Sequence, residues 1–227
     1  MGMRRTPFQV DEWFHCYNRG IDKRTVFEQP ANYERFVQLL CLINSEKILR
    51  RSDMLSHSTD EIMGIPRAKP LVSIGAYCLM PNHFHLLLRE IKAGGIARFM
   101  QRLGTAYTMY FNVRNERTGN LFTKPFRSRH VGEDRYFQRV VNYIHCNPAE
   151  LFEHGWKKGN VKNMDKLERM LRQYRYSSLA DYAGDKRSLS AILGQDGFDA
   201  WDPVTPTKML EDYRAYYADI SMDDAGI

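Results

Sequence analysis

From Phe8 to Tyr17 aromatic residues partly alternate with polar ones, and Asn18-Arg19-Gly20 follows as a turn, which predicts a strand. Tyr33, Phe36, Val37, Leu39, Leu40 and Ile43 then recur at helical spacing, with Asn32 as the expected N-cap. The polar, irregular stretch Ser45–Pro70 ends in Pro66 and Pro70 and predicts an extended, mobile connection. Leu71–Met80 and His83–Glu90 are β-rich runs parted by Pro81-Asn82, the pattern of an antiparallel hairpin. Gly94-Gly95 breaks the chain before a long helix reaching about Val113, with Phe99, Leu103, Tyr107 and Tyr110 on one side.

Beyond Gly119 the pattern predicts a short β pair, Leu121–Phe122 with Phe126–Val131. Glu133 or Asp134 caps a helix that runs to Asn147, where Pro148 discourages continuation. A Lys-rich segment, a helical stretch near Leu167–Tyr174 and the tripeptide Tyr176-Ser177-Ser178 follow. Strand, helix, two strands, helix, strands, helix, with hairpins dominating, predicts an α+β sandwich: an antiparallel sheet with helices packed on it.

Composition narrows the function classes. With 43% hydrophobic and 12% aromatic residues the chain has ample material for a core. No apolar run approaches the roughly 20 residues that span a bilayer, and the basic N-terminus lacks the apolar stretch of a secretory signal. Cys16, Cys41, Cys78 and Cys146 lie far apart with no CxxC pair, as expected of reduced thiols in a cytoplasmic protein. The net charge of +6 is uneven. Residues 184–227 hold four Lys/Arg and nine Asp/Glu, which leaves 29 of the 33 basic and 18 of the 27 acidic residues in the rest. So basic a body suits a polyanionic partner, because Lys and Arg release counterions from a phosphate backbone. The acidic tail is expected to be loosely attached; it either lies over the basic groove and competes with DNA or serves as a solubilising appendage.

Three groups of residues can carry chemistry. His83 and His85, two apart in a predicted strand, leave the same face and can share a divalent ion, while Phe84, Leu86 and Leu88 leave the other, core-facing side. Such pairs also commonly just hydrogen-bond to their neighbours. In the helix ending at Asn147, Phe137, Val140, Val141 and Ile144 form the apolar stripe, and Tyr136, Tyr143 and Asn147 fall on an adjoining strip at its rim. A phenol can attack phosphorus once it is deprotonated, and an amide oxygen can ligate a hard cation; rim tyrosines more often only pack. Third, Lys124, Phe126, Arg127, Arg129 and His130 form a basic, aromatic segment that suits a nucleic-acid backbone with stacked bases, or else a solvated edge strand.

These pieces coincide in order and spacing with a known family. The run YCLMPNHFHLLL, then KPFRSRHV, RYFQRVVNYIHCNP and YSS, with FHCYNRGIDKRTVF upstream, resembles the REP-associated tyrosine transposases of the HUH class of single-strand DNA nucleases. The similarity spans about residues 8–182. It implies a ferredoxin-like, HUH endonuclease-type sheet, with residues 1–182 as the nuclease domain, 45–70 as an insertion and 183–227 as an acidic extension. It implies His83, His85 and Asn147 as ligands of Mg²⁺ or Mn²⁺ and Tyr143 as the nucleophile. The reaction implied is single-strand cleavage and strand transfer through a 5′-phosphotyrosine on hairpin-forming repeat DNA. Arg19, Lys124, Arg127 and Arg129 are the candidate DNA contacts, and a second copy of the chain, in a homodimer, is a further candidate partner. In this sequence Ala149-Glu150-Leu151 replaces the family's usual Val-Arg-Ala, which removes a basic residue near the site. Two rivals stand beside this reading: a non-catalytic nucleic-acid binder on the same scaffold, and a structural zinc module of Cys78, His83, His85 and Cys146.

Overall fold

The computed structural model describes residues 7–46, 57–66, 69–132, 134–158 and 160–223. Its centre is an antiparallel sheet of β1 (Trp13–Arg19), β2 (Val72–Met80), β3 (His83–Glu90) and β4 (Arg127–Val131), in the order β2-β3-β1-β4. α1 (Pro30–Leu42) and the short α2 (Thr59–Met63) lie between β1 and β2, and α3 (Gly95–Arg114) lies between β3 and β4. The resulting β-α-β-β-α-β path, with β1 and β3 central, is the α+β, ferredoxin-like arrangement expected. After β4 come α4 (Asp134–Cys146), α5 (Ala149–Phe152), α6 (Met164–Gln173), α7 (Leu179–Tyr182), α8 (Gln195–Asp199) and α9 (Pro206–Asp223).

Period-two alternation sends successive side chains of each strand to opposite faces. Phe14 and Cys16 of β1, Ile74 of β2, and Phe84, Leu86 and Leu88 of β3 meet Phe36, Leu40, Phe99, Leu103 and Tyr107 of α1 and α3. The other face is buried as well: Ala76, Cys78, Met80, Leu87 and Val131 meet α4, over which α9 lies. Two glycines serve close approaches. A Cβ on Gly75 would sit 2.7 Å from the Trp13 ring, and the β2–β3 register shifts at this point, between Ile74 and Ala76. Gly94, at φ 77°, turns the chain so that the buried Glu90 carboxylate accepts hydrogen bonds from the Gly94 and Ile96 amides at 2.7 Å each, which caps α3.

Several sequence expectations need correction. β1 begins at Trp13 rather than Phe8, because Asp11 adopts φ 69° and breaks the extended run. Asn32 is not the N-cap of α1; it sits inside the first turn, and its carboxamide oxygen accepts from the Glu28 and Gln29 amides at 3.1 and 2.9 Å. Phe122 makes only a single bridge to Gly20, and β4 pairs with β1, not with Leu121–Phe122. Within Ser45–Pro70, residues 47–56 and 67–68 lie outside the described residues. Its remainder is not all irregular: α2 is capped by Ser58 and buries Ile62 and Met63. Nor is the acidic tail loosely attached, because Met209, Leu210, Tyr213 and Tyr216 of α9 are buried against α4. Asn142 of α4 and Asp212 of α9 reinforce that contact with a buried hydrogen bond of 2.8 Å.

Candidate functional site

At one end of the β1–β3 pair a cleft of about 340 Å³ opens between the sheet and the α4–α9 layer. His83 and His85 reach it from β3, Tyr143 from α4, and Asn147 from the turn that ends α4. Arg19 borders it from the end of β1 and Arg127 from the start of β4. The helical strip read from the sequence is therefore correct in its neighbours but not in its setting. Tyr143 and Asn147 do not stand on an open rim: they are 5% and 3% exposed, and α9 covers Tyr143. Tyr213 stacks on Tyr143 with ring centroids 4.6 Å apart, and Tyr216 lies 4.9 Å away.

The two histidine rings stand 5.0 Å apart, nearly perpendicular, and His85 lies 5.3 Å from Tyr143. Asn82 donates from Nδ2 to the Lys23 carbonyl at 3.2 Å, so its Oδ1 faces His83 Nδ1, 2.6 Å away. A carbonyl oxygen only accepts, hence His83 carries its proton on Nδ1 and keeps a lone pair on Nε2. His85 Nδ1 is engaged at 2.9 Å by His15 Nε2. Asn147 donates from Nδ2 to the Tyr143 carbonyl at 2.8 Å, which leaves its side-chain oxygen. Two imidazole nitrogens and an amide oxygen bordering one cleft form a donor set that fits a divalent cation.

Burial tunes these groups. It lowers the His83 pKa to about 4, assisted by the Arg19 charge and opposed by the contact with Asn147. His85 is held well below the usual histidine range, by burial first and then by its two histidine neighbours. Both rings are therefore neutral at neutral pH, the state a metal ligand requires. Burial raises the Tyr143 phenol, and a hydrogen bond with Asn147 offsets part of that rise.

The remaining expected contacts divide. Arg19 lines the cleft and its Nε is buried without a hydrogen-bond partner; Arg127 also lines it. Arg129 instead packs against Tyr136 and Tyr216, 5.6 and 5.7 Å from their ring centres, and Lys124 is not among the lining residues. Sequence reading missed Tyr17, Tyr213, Tyr217, Glu150 and Lys157, all of which border the cleft. Glu150, standing where a basic residue is lost, pairs with Lys157 at 3.0 Å, so a cation reaches the same place from seven positions further along. The zinc module is not assembled: among the described residues no three of His, Cys, Asp and Glu gather into a metal-holding group. All four cysteines are buried free thiols. No described helix is long and apolar enough to cross a membrane.

No curated protein matches the sequence. One solved structure that resembles the chain is a REP-associated tyrosine transposase bound to a REP hairpin, at 14% identity and a TM-score of 0.49, covering 81% of this chain and 86% of that one. A model of the family described as "Transposase IS200 like" matches residues 34–147, a segment that contains His83, His85, Arg127, Tyr143 and Asn147. With half of its length matched by that model, the chain belongs to the IS200-like transposases, enzymes that cleave DNA.

Proposed function

We propose that Tyr143 attacks a phosphodiester of single-stranded DNA beside a hairpin, with Mg²⁺ or Mn²⁺ held by His83, His85 and Asn147. The observation that carries this reading is the convergence of these four residues with Arg19 and Arg127 on one cleft. Aromatic Tyr17, Tyr213 and Tyr217 line the same cleft, and rings interleaved with cations suit unpaired bases on a phosphate backbone. A bound divalent cation would polarise the scissile phosphate and ease ionisation of a neighbouring phenol. The Arg19 guanidinium borders the cleft, where it would donate to a phosphate oxygen. The hydrogen bond with Asn147 favours the phenolate against the cost of burial. The Tyr143 oxygen forms its bond to phosphorus as the bond to the 3′-oxygen breaks. The phenol gives up one proton and the departing 3′-oxygen takes one up. The strand is left on the enzyme as a 5′-phosphotyrosine, and attack by another 3′-hydroxyl completes strand transfer. One ester replaces another, so no external energy source is needed.

The test is covalent capture. Wild-type protein with Mn²⁺ or Mg²⁺ and a hairpin-bearing single strand should form an adduct that survives denaturation and maps to the Tyr143 peptide by mass spectrometry. Tyr143→Phe, which removes only the hydroxyl, should abolish the adduct and leave DNA binding near wild type. Chelation of the metal should abolish it reversibly. An undiminished adduct in Tyr143→Phe would move the nucleophile elsewhere. Binding with no adduct on any hairpin, in either metal, would favour the non-catalytic binder.

A further inference from the structure

His15, on β1, takes no part in the reaction as described, yet it is fully buried and hydrogen-bonded at both ring nitrogens. Its Nε2 lies 2.9 Å from His85 Nδ1, and its Nδ1 lies 2.9 Å from the Tyr216 hydroxyl. The antiparallel register puts His85 opposite Tyr17, with His15 one step further along the same face, and the His15 and His85 rings are 5.0 Å apart and nearly parallel. Tyr216, also fully buried, belongs to α9, and 201 positions separate it from its partner. Three neutral groups thus form one chain that ends at His85, whose other nitrogen, Nε2, is its only remaining ligating atom.

We infer that Tyr216 and His15 are positioning residues that fix the tautomer of His85, so that α9 completes the metal site from behind. A neutral imidazole has one N–H and one lone pair. If the Tyr216 oxygen accepts from His15 Nδ1–H, His15 Nε2 must carry the lone pair. It then accepts from His85 Nδ1–H, and the His85 Nε2 lone pair is left for a cation. Asn82 does the same for His83 in a single step. Groups that orient a ligand histidine in this way tune affinity at metal sites generally, by about 10- to 100-fold. The inference rests on the metal reading above and gives a purpose to two buried polar residues that an apolar pair could otherwise replace.

Tautomers are read directly, without metal or substrate, from long-range proton–nitrogen NMR correlations of ¹⁵N-histidine-labelled protein. Wild type should show His15 and His85 each protonated on Nδ1. Tyr216→Phe keeps the ring and loses the hydroxyl that faces His15 Nδ1, so His15 should redistribute between tautomers, with His85 following. Mn²⁺ affinity, followed by the loss of the free-ion EPR signal, should fall by about 10- to 100-fold in His15→Leu. It should fall less in Tyr216→Phe and recover partly in His15→Gln, whose side-chain oxygen can accept from His85. His85 protonated on Nε2 in the wild type would overturn the relay, as would wild-type Mn²⁺ affinity in a folded His15→Leu. Mn²⁺ binding untouched by both His83→Ala and His85→Ala would instead overturn the metal reading, and the relay's purpose with it. Should His15→Leu fail to fold, the Tyr216→Phe spectrum decides the matter.

Discussion

On β3, Phe84, Leu86 and Leu88 enter a core shared with α1 and α3, while the alternate residues His83 and His85 face α4 and α9. The first side is a continuous aromatic and aliphatic pack in which Phe84 touches Phe36 and Phe122, with ring centroids 4.9 and 5.4 Å away. On the second side two hydrogen-bonded pairs, His15 with His85 and Asn142 with Asp212, are buried among apolar residues, and the Tyr143 ring packs beside the two histidines. Apolar burial stabilises by about 25 cal/mol per Å², whereas polar burial costs free energy unless each group is paired. One face can therefore supply stability while the other holds neutral imidazoles and a phenol away from water at small net gain. The difference teaches that the chemistry here is underwritten by the face that does not perform it.

The sharpest way to break the comparison is a pair of substitutions one residue apart. His85→Ala should eliminate adduct formation, yet lower stability only by about 1–3 kcal/mol, chiefly because His15 loses a buried partner. Phe84→Ala should cost about 3–5 kcal/mol through the cavity it leaves, and still form adduct at a temperature where it remains folded. Urea denaturation and covalent capture on the two proteins give the four numbers. Equal loss of activity in a folded Phe84→Ala would mean that the two faces are not separable. A smaller effect should follow Asn142→Ala. That change removes the 2.8 Å hydrogen bond to Asp212 and the acceptor of the Trp201 indole, and leaves a buried carboxylate with Lys208 alone, at a cost of about 1–3 kcal/mol. Hydrogen exchange should then quicken in α9 before it changes in the β2–β3 hairpin. Exchange that rises equally in both would show one cooperative unit rather than two.

The face with α1 and α3 was the easier to read from sequence. Alternation over His83–Leu86 and a period of 3.6 in α3 and α4 set which residues share a face, and those elements lie close to where the pattern puts them. The same periodicities put His83 with His85, and Tyr143 with Asn147, on shared faces, while the roles proposed for them came from the family resemblance. What was not legible depends on contacts distant in the chain. α9 carries its buried Tyr213 and Tyr216 at helical spacing, but the surrounding Asp and Glu residues make the segment read as solvated. With α9 unrecognised, the second face looked open, Tyr143 stood on a rim and Arg129 pointed at DNA, where in fact Tyr136 and Tyr216 flank it. His15 gave one signal that could have been used. In FHCYNR it shares a face with Tyr17, and antiparallel pairing of that run with His83–Glu90 brings it beside His85.

The smallest effect concerns the charge of the second face rather than its packing. α9 covers Tyr143 with buried aromatics, but Asp199, Asp202 and Glu211 of the same acidic segment are exposed and hydrogen-bond little or not at all through their carboxylates. Neutralising all three, as Asp199→Asn, Asp202→Asn and Glu211→Gln, leaves the buried contacts of α9 in place. If the segment's field opposes an approaching strand, single-stranded DNA should bind about 2- to 5-fold tighter at low salt. The gain should vanish toward 1 M salt, where charges more than roughly 3 Å apart are screened. The salt series separates this from a packing effect, because loosening of α9 would alter affinity at every ionic strength. Unchanged binding at the lowest salt would make the acidic residues a solubilising surface, and would leave α9 to act on the site only through Tyr213, Tyr216 and Tyr217.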